Sequence, residues 1–232
     1  MEQPKKITPE RLKDTIVELR YNTAISFEYI PGLVHEAVKG VLSPVDIGRH
    51  QFSLDPAKSV FIGTRKGFLQ NDIIRLQIEE GGLIFNSNGE YKGWSAFMGA
   101  IKTVMELIAQ KDWLQGIHWV GLRYVSEFAE IQIFDKLIWD FQYQWGQASS
   151  LNTTFRTEWA DEEDRIIVRL LNNGQREGDV YSLIDIDVNH NFGETKAVAA
   201  AFDTIERLHT KEKDVFFGLM RPEFLTSLNP TY

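Results

Sequence analysis

The sequence predicts an α+β fold: one antiparallel sheet, built from two similar β-α-β(3–4)-α units and packed on one face by long helices. Three observations carry this. The pentapeptide Val17-Glu-Leu-Arg-Tyr21 returns as Val120-Gly-Leu-Arg-Tyr124, identical at four of its five positions. Each copy precedes a similar order of strand-like and helix-like segments. The strand-like segments alternate apolar and polar residues, the mark of a sheet with one core face and one other face. Residues 1–112 and 113–232 are therefore read as two pseudo-repeats within one compact body.

The first unit opens with a strand over 15–22, where Val17, Leu19 and Tyr21 alternate with Glu18, Arg20 and Asn22. Pro31 suits the first turn of a short helix reaching Val41. Strands are predicted around 50–54, 58–64, 72–79 and 83–87, the last two joined at Glu80-Gly81-Gly82. A helix from about Gly93 to Ala109 carries Trp94, Phe97, Met98, Ile101, Val104, Met105 and Ile108 at helical spacing.

The second unit begins with a strand over 116–127, followed by a helical pattern near 134–146. Strands near 152–160, 164–172 and 180–190 follow, with turns at Asp161-Glu-Glu-Asp164 and Asn172-Asn-Gly174. The last helix runs from about Glu194 toward Met220, with a break expected near Thr210.

Alternation assigns a core face to Val17, Leu19, Tyr21; Ile74, Leu76, Ile78; Val120, Leu122, Tyr124; Phe155, Trp159; Ile166, Val168, Leu170; and Ile184, Ile186, Val188. The opposite face gathers Arg20, Arg75, Arg123, Arg156, Arg165 and Arg169, six of the chain's twelve arginines, and no lysine. Glu18, Gln77, Glu79, Trp119, Glu158, Asp185 and Asp187 share it. Arginine's planar, weakly hydrated fork favours bidentate pairing with carboxylates or a bound anion. Two readings follow: a solvent-facing lattice of Arg–carboxylate pairs, or a trough for an anionic small ligand or partner in which Arg20 and Arg123 are equivalent.

Composition limits the function. The formal charge of −8 disfavours extensive contact with nucleic-acid backbones. No apolar run of about 18 residues exists, and the charged amino terminus lacks the apolar core of a signal peptide, so a cytoplasmic protein without membrane contact is expected. With no cysteine, thiolate metal sites, disulfides and cysteine nucleophiles are absent. Phosphate-binding loops, the dinucleotide glycine motif, the serine-hydrolase elbow and the His-Glu-x-x-His zinc motif are absent too, and no cofactor is expected.

The remaining chemical candidates are few. Asp185-Ile-Asp187 with His190 has the spacing of a strand-borne metal site, without the accompanying loop and third carboxylate. Glu206-Arg-Leu-His209 is a single Glu-x-x-His step where di-iron bundles need two. His118 precedes Trp119 at the start of the repeated strand, a position suited to a structural histidine. Trp139 and Trp145, near Phe141 and Tyr143, form either core or an aromatic contact surface.

The element order resembles the saddles of TATA-binding-protein-like and helix-grip folds, and a mixed-charge sheet face on an acidic chain speaks against their DNA-reading role. The segments Ile16-Val-Glu-Leu-Arg20, Val120-Gly-Leu-Arg-Tyr124, His209-x-x-x-Lys213-x-x-Phe216-Phe217 and Glu223-Phe224-Leu225 resemble those of a sporadically distributed prokaryotic family with no assigned catalytic residues. That resemblance implies a setting among mobile or defence-associated genes. The expectation is a non-enzymatic binding module with a protein partner, as an accessory of a defence or toxin–antitoxin-type system. Its alternatives are a small-molecule or nucleotide binder using the arginine face, and a metal-dependent enzyme on Asp185, Asp187 and His190.

Overall fold

In the computed structural model, which describes residues 4–45, 51–55, 60–64, 67–140 and 152–232, burial with period two runs along the long strands and sets which side of each is core. The elements are β1 (Leu12–Asn22), α1 (Ile30–Val38), β2 (Ser43–Pro44), β3 (Gln51–Asp55), β4 (Val60–Thr64), β5 (Gly67–Gln70), β6 (Ile74–Glu79), β7 (Gly82–Ser87) and α2 (Trp94–Ala109). There follow β8 (Gly116–Ala129), β9 (Thr153–Asp161), β10 (Asp164–Arg176), β11 (Asp179–Lys196), α3 (Val198–Leu219) and α4 (Pro222–Ser227). The fold is α+β: nine strands form one antiparallel sheet in the order β2-β5-β6-β7-β1-β8-β11-β10-β9. β3 and β4 pair with each other as a separate two-stranded sheet.

The chain does not part at a single point. One compact unit comprises Met1–Ile16, Val120–Asn191 and Asp203–Tyr232; the other comprises Val17–Trp119 and Phe192–Phe202. We call them the Tyr124 unit and the Tyr21 unit, after the tyrosine that closes the pentapeptide in each.

In the Tyr21 unit, Val17, Leu19 and Tyr21 are buried, as are Ile74, Leu76 and Ile78 on β6. Helix α2 buries Phe97, Met98, Ile101, Val104, Met105 and Ile108, the stripe its spacing predicts. Each such side chain contributes about 1.5–3 kcal/mol relative to exposure. Helix α1 begins at Ile30-Pro31 and buries Ile30, Val34 and Val38, one residue per turn. Asn71 launches β6: its Oδ1 accepts from the Ile73 and Ile74 amides, each at 2.9 Å. The β6–β7 turn has Gly81 at φ 68°, where the sequence places it. Gly116 sits at φ +135°, and a Cβ there would lie 2.5 Å from Thr195 Cγ2 and 2.6 Å from the Lys196 carbonyl oxygen, so this close approach needs glycine.

In the Tyr124 unit, Val120, Leu122, Tyr124 and Phe128 on β8, Ile166, Val168 and Leu170 on β10, and Ile184, Ile186 and Val188 on β11 are buried. Residues β10 and β11 pair antiparallel from Asp164↔His190 to Leu171↔Leu183, and β9 lies on the other side of β10. Helix α3 buries Ile205, Leu208, Glu212, Phe216 and Leu219.

Several sequence expectations are corrected. Residues 133–136 form a 3-10 turn rather than the start of a helix, and Leu137 then bridges Met220, drawing the chain out of helical geometry. The rest of that pattern, 141–146 with Trp145, lies outside the described residues. Asn172-Asn-Gly174 is no turn: β10 passes through it with a register shift and Asn173 at φ 58°, a bulge, and the chain reverses at Glu177-Gly178 instead. Helix α3 starts at Val198 because β11 continues to Lys196, and it runs unbroken past Thr210, whose hydroxyl bonds back to the Glu206 carbonyl at 3.3 Å. The short β2, β5 and α4 escaped the sequence reading, being too brief to show a period.

Candidate functional site

Four arginines of the predicted face belong to the Tyr124 unit, and alternation along β8, β9 and β10 places Arg123, Arg156, Arg165 and Arg169 on one side as expected. Each meets a carboxylate. Arg123 donates through Nε and Nη2 to the two Asp185 carboxylate oxygens, both at 2.8 Å, the planar fork that only arginine provides. Arg169 reaches Asp185 at 3.4 Å and Asp187 at 3.6 Å. Arg156 and Arg165 bracket Glu158 at 2.7 and 2.5 Å. Four guanidiniums thus face three carboxylates, and Asp14 acts on Arg123 as a further negative charge. Hydrogen bonding to Asp185 raises the Arg123 pKa above its ordinary value, and the guanidinium is fixed as a cation already engaged.

The other candidates lie in the Tyr21 unit. Arg20 pairs with Glu18 and lies 4.0 Å from Glu79, its guanidinium spread over Gly82, where a Cβ would come within 2.9 Å of Nη1. Arg75 is exposed and donates to Gln70 at 3.4 Å. Trp119 is half-buried.

The same alternation separates the metal candidates. Asp185 and Asp187 stand on the arginine face of β11, whereas His190 has the parity of Val188 and points to the core side. There its Nδ1 bonds Asp164 at 2.9 Å, with Nε2 3.8 Å from Glu163. Among the described residues, no group of three acidic or histidine side chains could hold a metal ion.

Sequence reasoning missed the network around Asp164, whose side chain is 1% exposed. Arg207 grips it with both terminal nitrogens, Lys211 donates at 2.7 Å, and His190 completes the set. Burial acts to raise this carboxyl, but the hydrogen bonds from Arg207, Lys211 and His190 together outweigh it and hold the pKa down to about 2. Arg207 and Lys211 stand one helical turn apart on α3, so the cluster ties helix to strand. It depends on the Asp164↔His190 pairing register, which no local pattern announces.

A second buried group joins the two motifs of this unit. The Tyr124 hydroxyl and His209 Nδ1 are 3.0 Å apart, and burial pushes the His209 pKa down to about 4, leaving a neutral imidazole. One turn on, Glu212 occupies the apolar stripe of α3, and burial pushes its carboxyl well above the ordinary range against the pull of Lys213.

The remaining feature is the flank of β9. Trp139 stacks edge-on against Phe155 and Trp159, with ring centroids 5.5 and 5.6 Å apart. Trp159, expected in the core, is 40% exposed, and Ile138 beside Trp139 is 56% exposed. Period two was correct in direction for Trp159, which pairs opposite the buried Ile166, but β9 is the last strand in the sheet order of the described residues. No described helix is long and apolar enough to cross a membrane. No protein-family model matches this chain, and no curated protein does.

Proposed function

We propose that this protein is a non-enzymatic interaction module that contacts another protein chain through the β9 flank of its Tyr124 unit. The observation that carries the reading is the exposure of two large apolar side chains, Trp159 and Ile138, on either side of the half-buried Trp139, which stacks on Trp159 at the last strand of the sheet order. Rigid aromatics ringed by polar groups are the usual anchors of protein contacts. An anionic ligand is less well served, since it would have to displace Asp185 from Arg123 and Glu158 from Arg156 and Arg165.

Site-specific photocrosslinking in cells tests this. A photoreactive phenylalanine analogue at position 138 should yield a discrete protein–protein adduct, identified by mass spectrometry, and Trp159→Arg should abolish it. The same analogue at Tyr29, 66% exposed in the other unit, serves as the control. Absence of an adduct at 138, or one unaffected by Trp159→Arg, refutes the reading.

A further inference from the structure

Strand register in the Tyr124 unit sets the side chains of the arginine face in rows. Asp185, Arg169 and Arg156 stand side by side across β11, β10 and β9. The next row of the same face, toward the β10–β11 hairpin, is Leu183, Leu171 and Thr154; the row behind is Asp187, Ile167 and Glu158. Arg169 and Arg156 are thus directly opposed, at the ~4.5–5.5 Å Cα separation of paired residues. Like charges so placed repel. On a chain of net charge −8, that opposition calls for a reason.

Neither arginine is fully engaged by its own acids. Among the described residues Arg156 gives Glu158 one hydrogen bond, through Nη2 at 2.7 Å. Arg169 donates a long one to Asp185 at 3.4 Å and lies 3.6 Å from Asp187, while Asp185 is gripped by Arg123 at 2.8 Å. The side chains of Arg156 and Arg169 are 50% and 33% exposed. An anion claiming all four arginines would have to break the Asp185 and Glu158 pairs. A small one seated between Arg156 and Arg169 keeps both, because a guanidinium has further N–H donors in a fork shaped for the paired oxygens of a carboxylate. The adjoining row completes a seat: Thr154 is exposed and offers a hydroxyl, and Leu171 and Leu183 are half-buried. That row holds no acid, so an apolar body can lie on it.

We infer that Arg156 and Arg169 bind the carboxylate of a small aliphatic acid, whose hydrocarbon body lies over Leu171 and Leu183. The bound carboxylate turns the opposition of two cations into a bridged pair and leaves Glu158 with Arg165. The seat is on the arginine face, away from the side that carries Trp159, and is independent of the protein contact proposed above.

Titration of the full-length, nitrogen-15-labelled chain with hexanoate at constant ionic strength, read by NMR at the arginine Nε–H groups, tests this. The Arg156 and Arg169 signals should shift together and saturate with a dissociation constant of about 1–10 mM, while Arg20 and Arg75 of the other unit stay in place. Acetate, which lacks the hydrocarbon body, should bind about tenfold more weakly or worse. Arg156→Gln should weaken hexanoate about tenfold or more and Arg75→Gln should leave it unchanged. Both replaced side chains are exposed, and the backbone amide spectrum checks that the fold is kept. Shifts that do not saturate by about 50 mM, that appear equally at Arg75, or that survive Arg156→Gln overturn the inference. Acetate matching hexanoate, or inorganic phosphate binding more tightly than hexanoate, overturns it as well, since the ligand is then not an aliphatic acid.

Discussion

Replacing Asp164 by asparagine keeps the shape of the side chain and removes the charge that Arg207, Lys211 and His190 converge on. A carboxyl held at about 2 against an ordinary 3.8 contributes roughly 2.5 kcal/mol to stability at neutral pH. Breaking a wholly buried pair costs about 3–5 kcal/mol. The lower figure applies here because Arg207 is 45% exposed and can turn to water. The folded-state pKa lies below the unfolded one, so this stability is complete above the unfolded value and is lost as pH falls toward the folded one. Urea unfolding at a series of pH values should show wild type exceeding Asp164→Asn by about 2–3 kcal/mol at pH 7, with roughly half of the difference left at pH 3. A difference below about 0.5 kcal/mol at neutral pH, or one that does not shrink with acid, would refute the view that this carboxylate anchors α3 to the sheet.

His209 also costs stability as pH falls, but over a higher window. Its folded pKa of about 4 lies below the ordinary 6.5, so stability falls as pH drops from 6.5 toward 4, by roughly 3 kcal/mol, as the unfolded chain takes up the proton first. His209→Gln should flatten that part of the stability curve, and NMR should find the His209 ring neutral at pH 5. Arg123→Ala should cost about 2 kcal/mol in urea unfolding, because Asp185 is 7% exposed and keeps only the longer Arg169 contact. Arg123→Lys should recover about half of that, since an ammonium cannot reproduce the fork. Gly116→Ala should destabilise by more than about 2 kcal/mol, from positive φ and collision with the Lys196 backbone. Gly82→Ala should stay within about 1 kcal/mol, because its new methyl meets only the mobile end of Arg20.

What the sequence by itself determined was period. Alternation gave the core faces of β1, β6, β8, β10 and β11, and a 3.6-residue stripe gave α2, because burial of one face is a local, repeating demand. It also placed Arg123, Arg156, Arg165 and Arg169 on a common side, since parity follows from the strand alone. Tertiary structure decided what parity cannot. Pairing register brought Asp164 to His190 and, with α3 alongside, to Arg207 and Lys211, contacts separated by up to 47 positions along the chain. It turned Asn172-Asn-Gly174 into a bulge, because β10 found a partner on both sides of it. It ended the sheet order at β9, leaving Trp159 half outside the core its spacing promised. Strand order is a global property, and hydrophobic spacing does not record which strand comes last.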